Sequence, residues 1–540
     1  MQHNKDEPMS VKRDLRFFNT TGPCNPNDHY MLPPEHRLVG AQLHRYINHK
    51  LYWALHAPRQ TGKTTFLLSW MRKINSGDEA VACYVSVETC QGISDADRAM
   101  PAICEAIKRY ARNFGVPIPV SDDVVSISML SNILCHWSDL VAPKPLIVLF
   151  DEVDVLHGEA MISFLRQLRD GFVDRGIGAF PVSVVLVGMR DLKDYITASK
   201  EGIAPNPGSP FNIKEDSAVL SNFNKQDIAD LFAQRTVENG QQITQEALDY
   251  VFEQSQGQPW IVNSLFKRAT MRILDEQSIE TITLRHIEQA REQMIMARET
   301  HLDALAERLK DPRIHRVVQP ILTGDTGSNL DPNHPDLILA MDLGLVKWDM
   351  DRGFMIANPV YEDILTRTLN SVYFAQVPSP SSWRWQTPDG RLDMDALMQE
   401  FQDFWRNHSE IWEQWTKYTE AFPHLLLMAF MQRVVNGGGR IEREYATGRG
   451  RMDLAVEYKG EWNIVEIKLL RTGRSFDQVR AEGIKQVKRY FDTFVPPVGY
   501  HKNVQNVYLI IFDRRSDDVK PSWNERITWE HDSNVTILGC

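Results

Sequence analysis

Residues 57–64 read A-P-R-Q-T-G-K-T, directly after the apolar run Tyr52–His56 and at the start of a helix-forming stretch, Thr64–Ile74. An apolar strand, a loop ending in glycine, lysine and threonine, and then a helix is the setting that a phosphate-binding loop requires. The backbone N–H groups of such a loop and the positive end of the helix dipole hold phosphate anions. Ala57, Pro58, Arg59, Gln60, Thr61, Gly62, Lys63, Thr64 and Thr65 are therefore the expected nucleotide-binding residues. Lys63 is placed to reach the β- and γ-phosphates of ATP, and Thr64 to ligate Mg²⁺. Ala57 stands where a glycine opens the GxxxxGK[ST] pattern. Alanine is tolerable there if the position keeps a negative φ.

Three more apolar runs, Val81–Val87, Leu146–Phe150 and Val182–Val187, alternate with helical segments. Continuous apolar strands separated by helices indicate an α/β fold with a parallel sheet covered on both faces. Leu146–Phe150 delivers Asp151 and Glu152 side by side. Buried strands rarely end in two acids without a cation or a catalytic task to offset their desolvation. Asp151 is expected in the Mg²⁺ shell, and Glu152 is expected to polarise the attacking water. Val182–Val187 runs into Gly188, Met189 and Arg190. Arg190 lies at the carboxyl edge of the sheet, where open α/β sheets bind ligands, and is expected at the γ-phosphate.

Beyond this core, residues 224–300 read as helices punctuated by Gly257-Gln258-Pro259. Residues 301–372 read as helices followed by a hairpin, Leu345–Trp348 and Phe354–Ala357, the order of a winged helix. The Pro- and Ser-rich stretch Val377–Gly390 reads as a linker. The expected domains are 1–223, an N-terminal segment with the ATPase core; 224–300, a helical lid; 301–372, a winged helix; 373–395, a linker; and 396–540, a separate C-terminal domain. The strand ending in Asp151-Glu152, the post-strand Arg190 and the Gly257–Pro259 punctuation resemble the STAND and origin-recognition branches of the AAA-like ATPases. That resemblance covers roughly 12–372 and implies the lid and the wing. It also implies that Tyr30–Arg37 lies over the adenine.

The C-terminal domain carries a second constellation. Phe422–Asn436 is apolar and helical and runs into glycines 437–439. Ile441–Ala446, Met452–Tyr458 and Trp462–Leu469 read as strands, Ser475–Phe494 as a helix and Val507–Asp513 as a strand, giving αβββαβ. Asp453, Glu466 and Lys468 stand as D-x12-E-I-K, and period-two alternation puts Glu466 and Lys468 on one face. Two carboxylates that converge repel each other, and a divalent cation resolves the repulsion. Asp453 and Glu466 are the expected metal ligands, and Lys468 is expected to orient water or neutralise developing phosphorane charge. The pattern resembles the PD-(D/E)XK nuclease superfamily. Gln486 and Tyr490, as Q-x3-Y on the following helix, resemble its RecB-type branch. Glu442 and Glu444 share a face, and Glu444 is the favoured auxiliary acid. HAPRQTGKTT, ANPVYEDIL and VVNGGGRIEREYATGRGRMDL together resemble a group of bacterial proteins that fuse the two modules. For that group the implied role is nuclease action on DNA under nucleotide control, against phage or other mobile DNA.

Charge supports this division. Residues 431–490 carry thirteen Lys/Arg against eight Asp/Glu, a net +5, whereas the whole chain of 540 residues is −11. A basic module on an acidic body suits a phosphate-backbone partner, with Arg449 and Arg451 beside the site. Apolar residues are 43% and charged residues 24%, ordinary globular usage that excludes a disordered or collagenous chain. Six scattered cysteines without a CxxC pair argue against structural zinc or a disulfide framework. No apolar run approaches a membrane span and the first ten residues are polar, so a cytoplasmic protein without a membrane partner is expected. The reading is an ATP-regulated, Mg²⁺-dependent DNA endonuclease, with Mn²⁺ as an alternative metal. Expected partners are DNA, further copies in a homo-oligomer, and a phage or host protein as trigger. A nucleotide-gated DNA-binding or signalling protein with an idle nuclease fold, and an ATP-dependent repair exonuclease, are the alternatives.

Overall fold

Four of the apolar runs become neighbouring parallel strands. The computed structural model describes residues 15–39, 43–120, 128–175, 180–189, 214–297, 300–322, 331–350, 353–374, 385–407, 427, 430–431, 439–446, 451–470, 473–493, 503–513, 515, 522–532 and 534–540. The chain divides into two units, Met1–Arg308 with Asn329–Glu362, and Leu309–Ser328 with Asp363–Cys540. The second unit thus takes part of the segment expected as a winged helix.

The first unit holds strands β1 (Leu38–Val39), β2 (Tyr52–His56), β3 (Val81–Ser86), β4 (Leu146–Asp151), β5 (Ser183–Gly188) and β6 (Lys214–Leu220). They lie in the order β1-β6-β2-β5-β4-β3, all parallel except β1 against β6. Alternate side chains feed two cores, which is why these strands read as unbroken apolar runs. On one face Trp53, Ala82, Ile147, Leu149 and Val185 meet α1 (Leu43–Asn48) and α2 (Lys63–Asn75) through Tyr46, Phe66, Leu67 and Trp70. On the other, Ala54, Cys83, Val148 and Val184 meet α3 (Ala96–Asn113), α4 (Met129–Val141) and α5 (Gly158–Asp174). Strand β6 was not among the expected runs, because its sequence, Lys214–Leu220, opens with four polar residues.

The expected lid is helical: Lys225–Asn239, Gln245–Ser255, Pro259–Arg268 and Leu284–Met296. Asn224 and Asp227 close a reciprocal capping box on the first helix. Gly257 explains the punctuation. Its φ is +73°, and a Cβ there would sit 1.8 Å from the carbonyl oxygen of Phe223. The expected hairpin forms as β7 (Val346–Asp349) and β8 (Gly353–Ile356), preceded by the helix Pro335–Asp342.

The second unit is built on β9 (Gly439–Ala446), β10 (Arg451–Tyr458), β11 (Glu461–Leu470), β12 (Val504–Asp513), β13 (Thr528–Asp532) and β14 (Val535–Gly539). Their order is β13-β14-β12-β11-β10-β9, with β11, β12 and β14 parallel and the outer pairs antiparallel. The helix Phe476–Thr493 covers one face through Val479 and Val487. It approaches closely because Gly483 leaves room for Leu509, whose Cδ1 would be 2.6 Å from an added Cβ. The helix Met394–Asn407 packs on the other face through Leu397, Phe401 and Trp405. That helix and the hairpin β13–β14 are additions to the expected order. Of the expected helix Phe422–Asn436, only Leu427, Phe430 and Met431 are described, and all three are helical. Among the described residues, no helix is long and apolar enough to cross a membrane.

Candidate functional site

Strand β2 ends at His56 and α2 begins at Lys63, so residues 57–62 form the connecting loop. Positive φ angles fall at Gln60 (+59°) and Gly62 (+93°), and Ala57 is not among the positive-φ residues. The alanine at the first-glycine position therefore meets no backbone objection. The Ala57 amide donates to Gly188 O at 3.4 Å, tying the loop to the end of β5. Lys63 is buried, and its ammonium donates to Ala57 O (2.7 Å) and Pro58 O (2.9 Å). Burial lowers its pKa, against the pull of Asp151, Glu152 and Asp154. Thr61 Oγ1 donates to Pro58 O, and Thr65 Oγ1 accepts from the Cys24 amide. Arg59 is exposed.

Asp151 closes β4 and is 1% exposed. Its Oδ2 accepts from Thr64 Oγ1 at 2.7 Å and from Tyr84 OH at 3.1 Å, and its Oδ1 accepts from the Glu152 amide at 2.9 Å. Burial raises its pKa, and Thr64, Lys63, the Glu152 amide and Tyr84 oppose the rise. Glu152 follows in the left-handed region, φ +59°, a conformation that costs a non-glycine residue energy and tends to mark functional positions. Burial first, then the charges of Asp151 and Asp154, push its carboxyl up to about 7. Asp154 is buried, and its Oδ1 has no hydrogen-bond partner. Arg190 lies outside the described residues.

Three contributors escaped the sequence reading. Tyr84 comes from β3, Asp154 from the short 3-10 turn Val153–Val155, and Arg37 from just before β1. Arg37 lies inside the stretch Tyr30–Arg37, but nothing in its spacing singles it out. Its guanidinium is buried, donates from Nη2 to Thr61 O at 2.6 Å and stands over the Phe223 ring at 4.8 Å. Burial brings its pKa down to about 10. On the lid side, Gln258 caps the helix Pro259–Arg268 by accepting from the Ile261 amide at 2.7 Å.

In the second unit, Glu466 sits inside β11 with no exposed surface, and Lys468 Nζ donates to its Oε1 at 2.6 Å. The expected shared face of these two residues is thus observed. Strand β10 pairs with β11 through Leu454 and Val465, and one step further along the same strands come Asp453 and Glu466. On the other side of β10, the pairs Met452–Tyr445 and Leu454–Arg443 bracket Asp453 and Glu444. The side chains of Asp453, Glu444 and Tyr490 lie outside the described residues, as does Arg449. Gln486 is half-buried on the helix Phe476–Thr493. Among the described residues, no group of three or more His, Cys, Asp or Glu is arranged to hold a metal.

A central parallel sheet, a loop running from a strand end to a helix N-terminus, and a strand-end carboxylate bonded to that helix make the first unit a P-loop fold. No protein-family model matches the sequence, and no curated protein matches it. Among solved structures, the chain is similar to the Walker-type ATPase PABY2304 of Pyrococcus abyssi, at 12% identity over 64% of this chain and 99% of that one, with a TM-score of 0.46. It is similar to the RuvB Holliday junction branch migration motor of Thermotoga maritima, at 14% identity over 60% and 90% of the two chains, with a TM-score of 0.32. It is also similar to Cdc6p of Pyrobaculum aerophilum, at 15% identity over 59% and 88%, with a TM-score of 0.31.

Proposed function

We propose that the chain binds and hydrolyses ATP and cleaves DNA as a metal-dependent endonuclease, with nucleotide state setting the rate of cleavage. One observation carries the reading: each sheet holds a buried carboxylate bonded to the partner its motif supplies, Asp151 to Thr64 and Glu466 to Lys468. The donors at both places are hard oxygens, hydroxyl and carboxylate, which suit Mg²⁺ and also Mn²⁺. Thr64 and Asp151 would hold one ion, and Asp453 and Glu466 the other. Bound there, such ions neutralise phosphate charge and activate water.

The residues of this chain then divide the work. Lys63 exchanges its two loop carbonyls for phosphate oxygens, and the amides of residues 59–65 cradle the same anion. Glu152, held in its left-handed turn beside Asp151, takes the proton of the attacking water. Arg190 contacts the γ-phosphate. In the second unit, Lys468 orients water and offsets charge at the reacting phosphorus, Glu444 serves as auxiliary acid and Gln486 positions the substrate strand. The basic surface of residues 431–490 holds the DNA backbone. We place the activity in the cytoplasm, in a homo-oligomer triggered by a phage or host protein and directed against phage or other mobile DNA.

The test is incubation of the full chain with plasmid and linear DNA, with and without ATP, at fixed free Mg²⁺ and in EDTA. Cleavage that needs the metal and changes with ATP is expected. Intact DNA under every condition overturns the nuclease reading, and absence of nucleotide binding overturns the ATPase reading.

A further inference from the structure

The carboxylate of Asp151 has about four acceptor positions, two on each oxygen. Three are taken. Oδ2 receives two hydroxyls, Thr64 Oγ1 at 2.7 Å and Tyr84 OH at 3.1 Å, and Oδ1 receives the Glu152 amide at 2.9 Å. Thr64 belongs to the phosphate-loop motif and Glu152 follows Asp151 in sequence. Tyr84 belongs to neither, coming from the neighbouring strand β3, where Tyr84 pairs with Leu149 of β4. Its ring is held rigidly. It meets Tyr110 edge-on at 5.3 Å and Phe114 at 6.2 Å, its amide lies 3.3 Å from Met71 Sδ, and only 7% of the residue is exposed. Rings from α3 and its C-terminal cap thus pack edge-on against the one that carries the hydroxyl.

We propose that Tyr84 is a positioning residue for the metal of the nucleotide site: its hydroxyl, with that of Thr64, pins Asp151 Oδ2 and turns the remaining acceptor position of Oδ1 toward the ion or its water shell. This rests on the ATP-binding reading above. Without the Tyr84 hydroxyl, one acceptor position of Oδ2 opens and the carboxylate is held by only two bonds, from Thr64 and the Glu152 amide. The metal then meets a ligand that must be reordered on binding. Partners that orient metal ligands in this way are worth roughly 10–100-fold in metal affinity or activity. In this proposal Tyr84 acts on the nucleotide only through Asp151 and the metal, so affinity for the metal-free nucleotide should not depend on it.

The experiment uses the full chain and a fluorescent ATP analogue, titrated in EDTA and across a Mg²⁺ series, with ATP turnover measured in parallel. For Tyr84→Phe we expect metal-free nucleotide affinity within about twofold of wild type and a half-saturating Mg²⁺ concentration raised roughly tenfold. Tyr110→Phe removes a hydroxyl from the adjoining ring and should behave as wild type. Thr64→Ala removes a ligand of the ion as well as a bond to Oδ2, so its effect on Mg²⁺ dependence should exceed that of Tyr84→Phe. If Tyr84→Phe does not fold, Tyr84→Met keeps apolar bulk at the site and carries the same comparison. Unchanged Mg²⁺ half-saturation in the folded variant, or an equal effect from Tyr110→Phe, overturns the inference and leaves the ATP-binding reading standing. If wild type binds no Mg²⁺–ATP, the ATP-binding reading falls, and the inference with it.

Discussion

Asp151 and Glu466 are both buried acids in the interior of a sheet, and they are kept there by different means. Asp151 draws donors from three places: α2, the neighbouring strand β3 and the next peptide bond. Glu466 takes its ion pair from Lys468, two residues along the same strand. The first arrangement exists only when the whole sheet is assembled; the second is written into the pleat of one strand. A buried acid held by tertiary structure should be rigid and costly to replace. One paired within its own strand should tolerate neutralisation while losing its chemistry.

The largest effects test whether the two acids serve separate activities. Glu466→Ala, Asp453→Ala and Lys468→Ala should each reduce DNA cleavage by about 1,000-fold or more while ATP turnover stays within about twofold, as expected for metal ligands and a charge-stabilising lysine. Gel assays of plasmid and phosphate-release assays on the same preparations would measure both. Cleavage that survives all three substitutions places the chemistry elsewhere.

Lys63→Ala should weaken ATP binding about 100-fold, since it removes the cation aimed at the β- and γ-phosphates. Glu152→Gln should bind ATP normally and turn it over at least about 100-fold more slowly. Calorimetric titration and single-turnover kinetics separate the two. Normal hydrolysis by Glu152→Gln removes that residue from the role of base.

The smallest effect bears on the comparison most directly. Asp151→Asn presents an amide N–H₂ to a pocket already lined with donors, and should lower stability by about 2–3 kcal/mol. Glu466→Gln keeps the shape of the side chain and leaves a lysine that is 20% exposed and can turn to water, so it should cost less than Asp151→Asn. Urea melts of the two variants compare them. Equal losses would show that both acids are held by the assembled fold.

The same contrast explains what could be read from the chain. The loop 57–64, the apolar strands and the ExK pair are local patterns, with spacing that carries their geometry, and they stand where expected. β6 escaped because its first four residues are polar and only three apolar ones follow. β13 escaped because Thr528–Asp532 alternates weakly around Trp529 and His531. Tyr84 was invisible for a deeper reason. Its contact with Asp151 spans 67 positions and depends on β3 lying beside β4 in register, which no local pattern specifies. Arg37 touches Thr61 across 24 positions for the same kind of reason.

Strands β4 and β5 are enclosed twice over, by helices on both faces and by strands on both sides. Their amides can exchange with solvent deuterium only through openings close in free energy to global unfolding. Asp151 and Gly188 terminate these two strands, so the carboxylate is anchored in what should be the slowest-exchanging part of the first unit. The loop that faces it is joined to that part by the amide of Ala57 on Gly188, and the start of α2 by the Thr64 hydroxyl on Asp151. Movement of the loop and the start of α2 against the carboxylate should then outpace the labelling of the strands behind it.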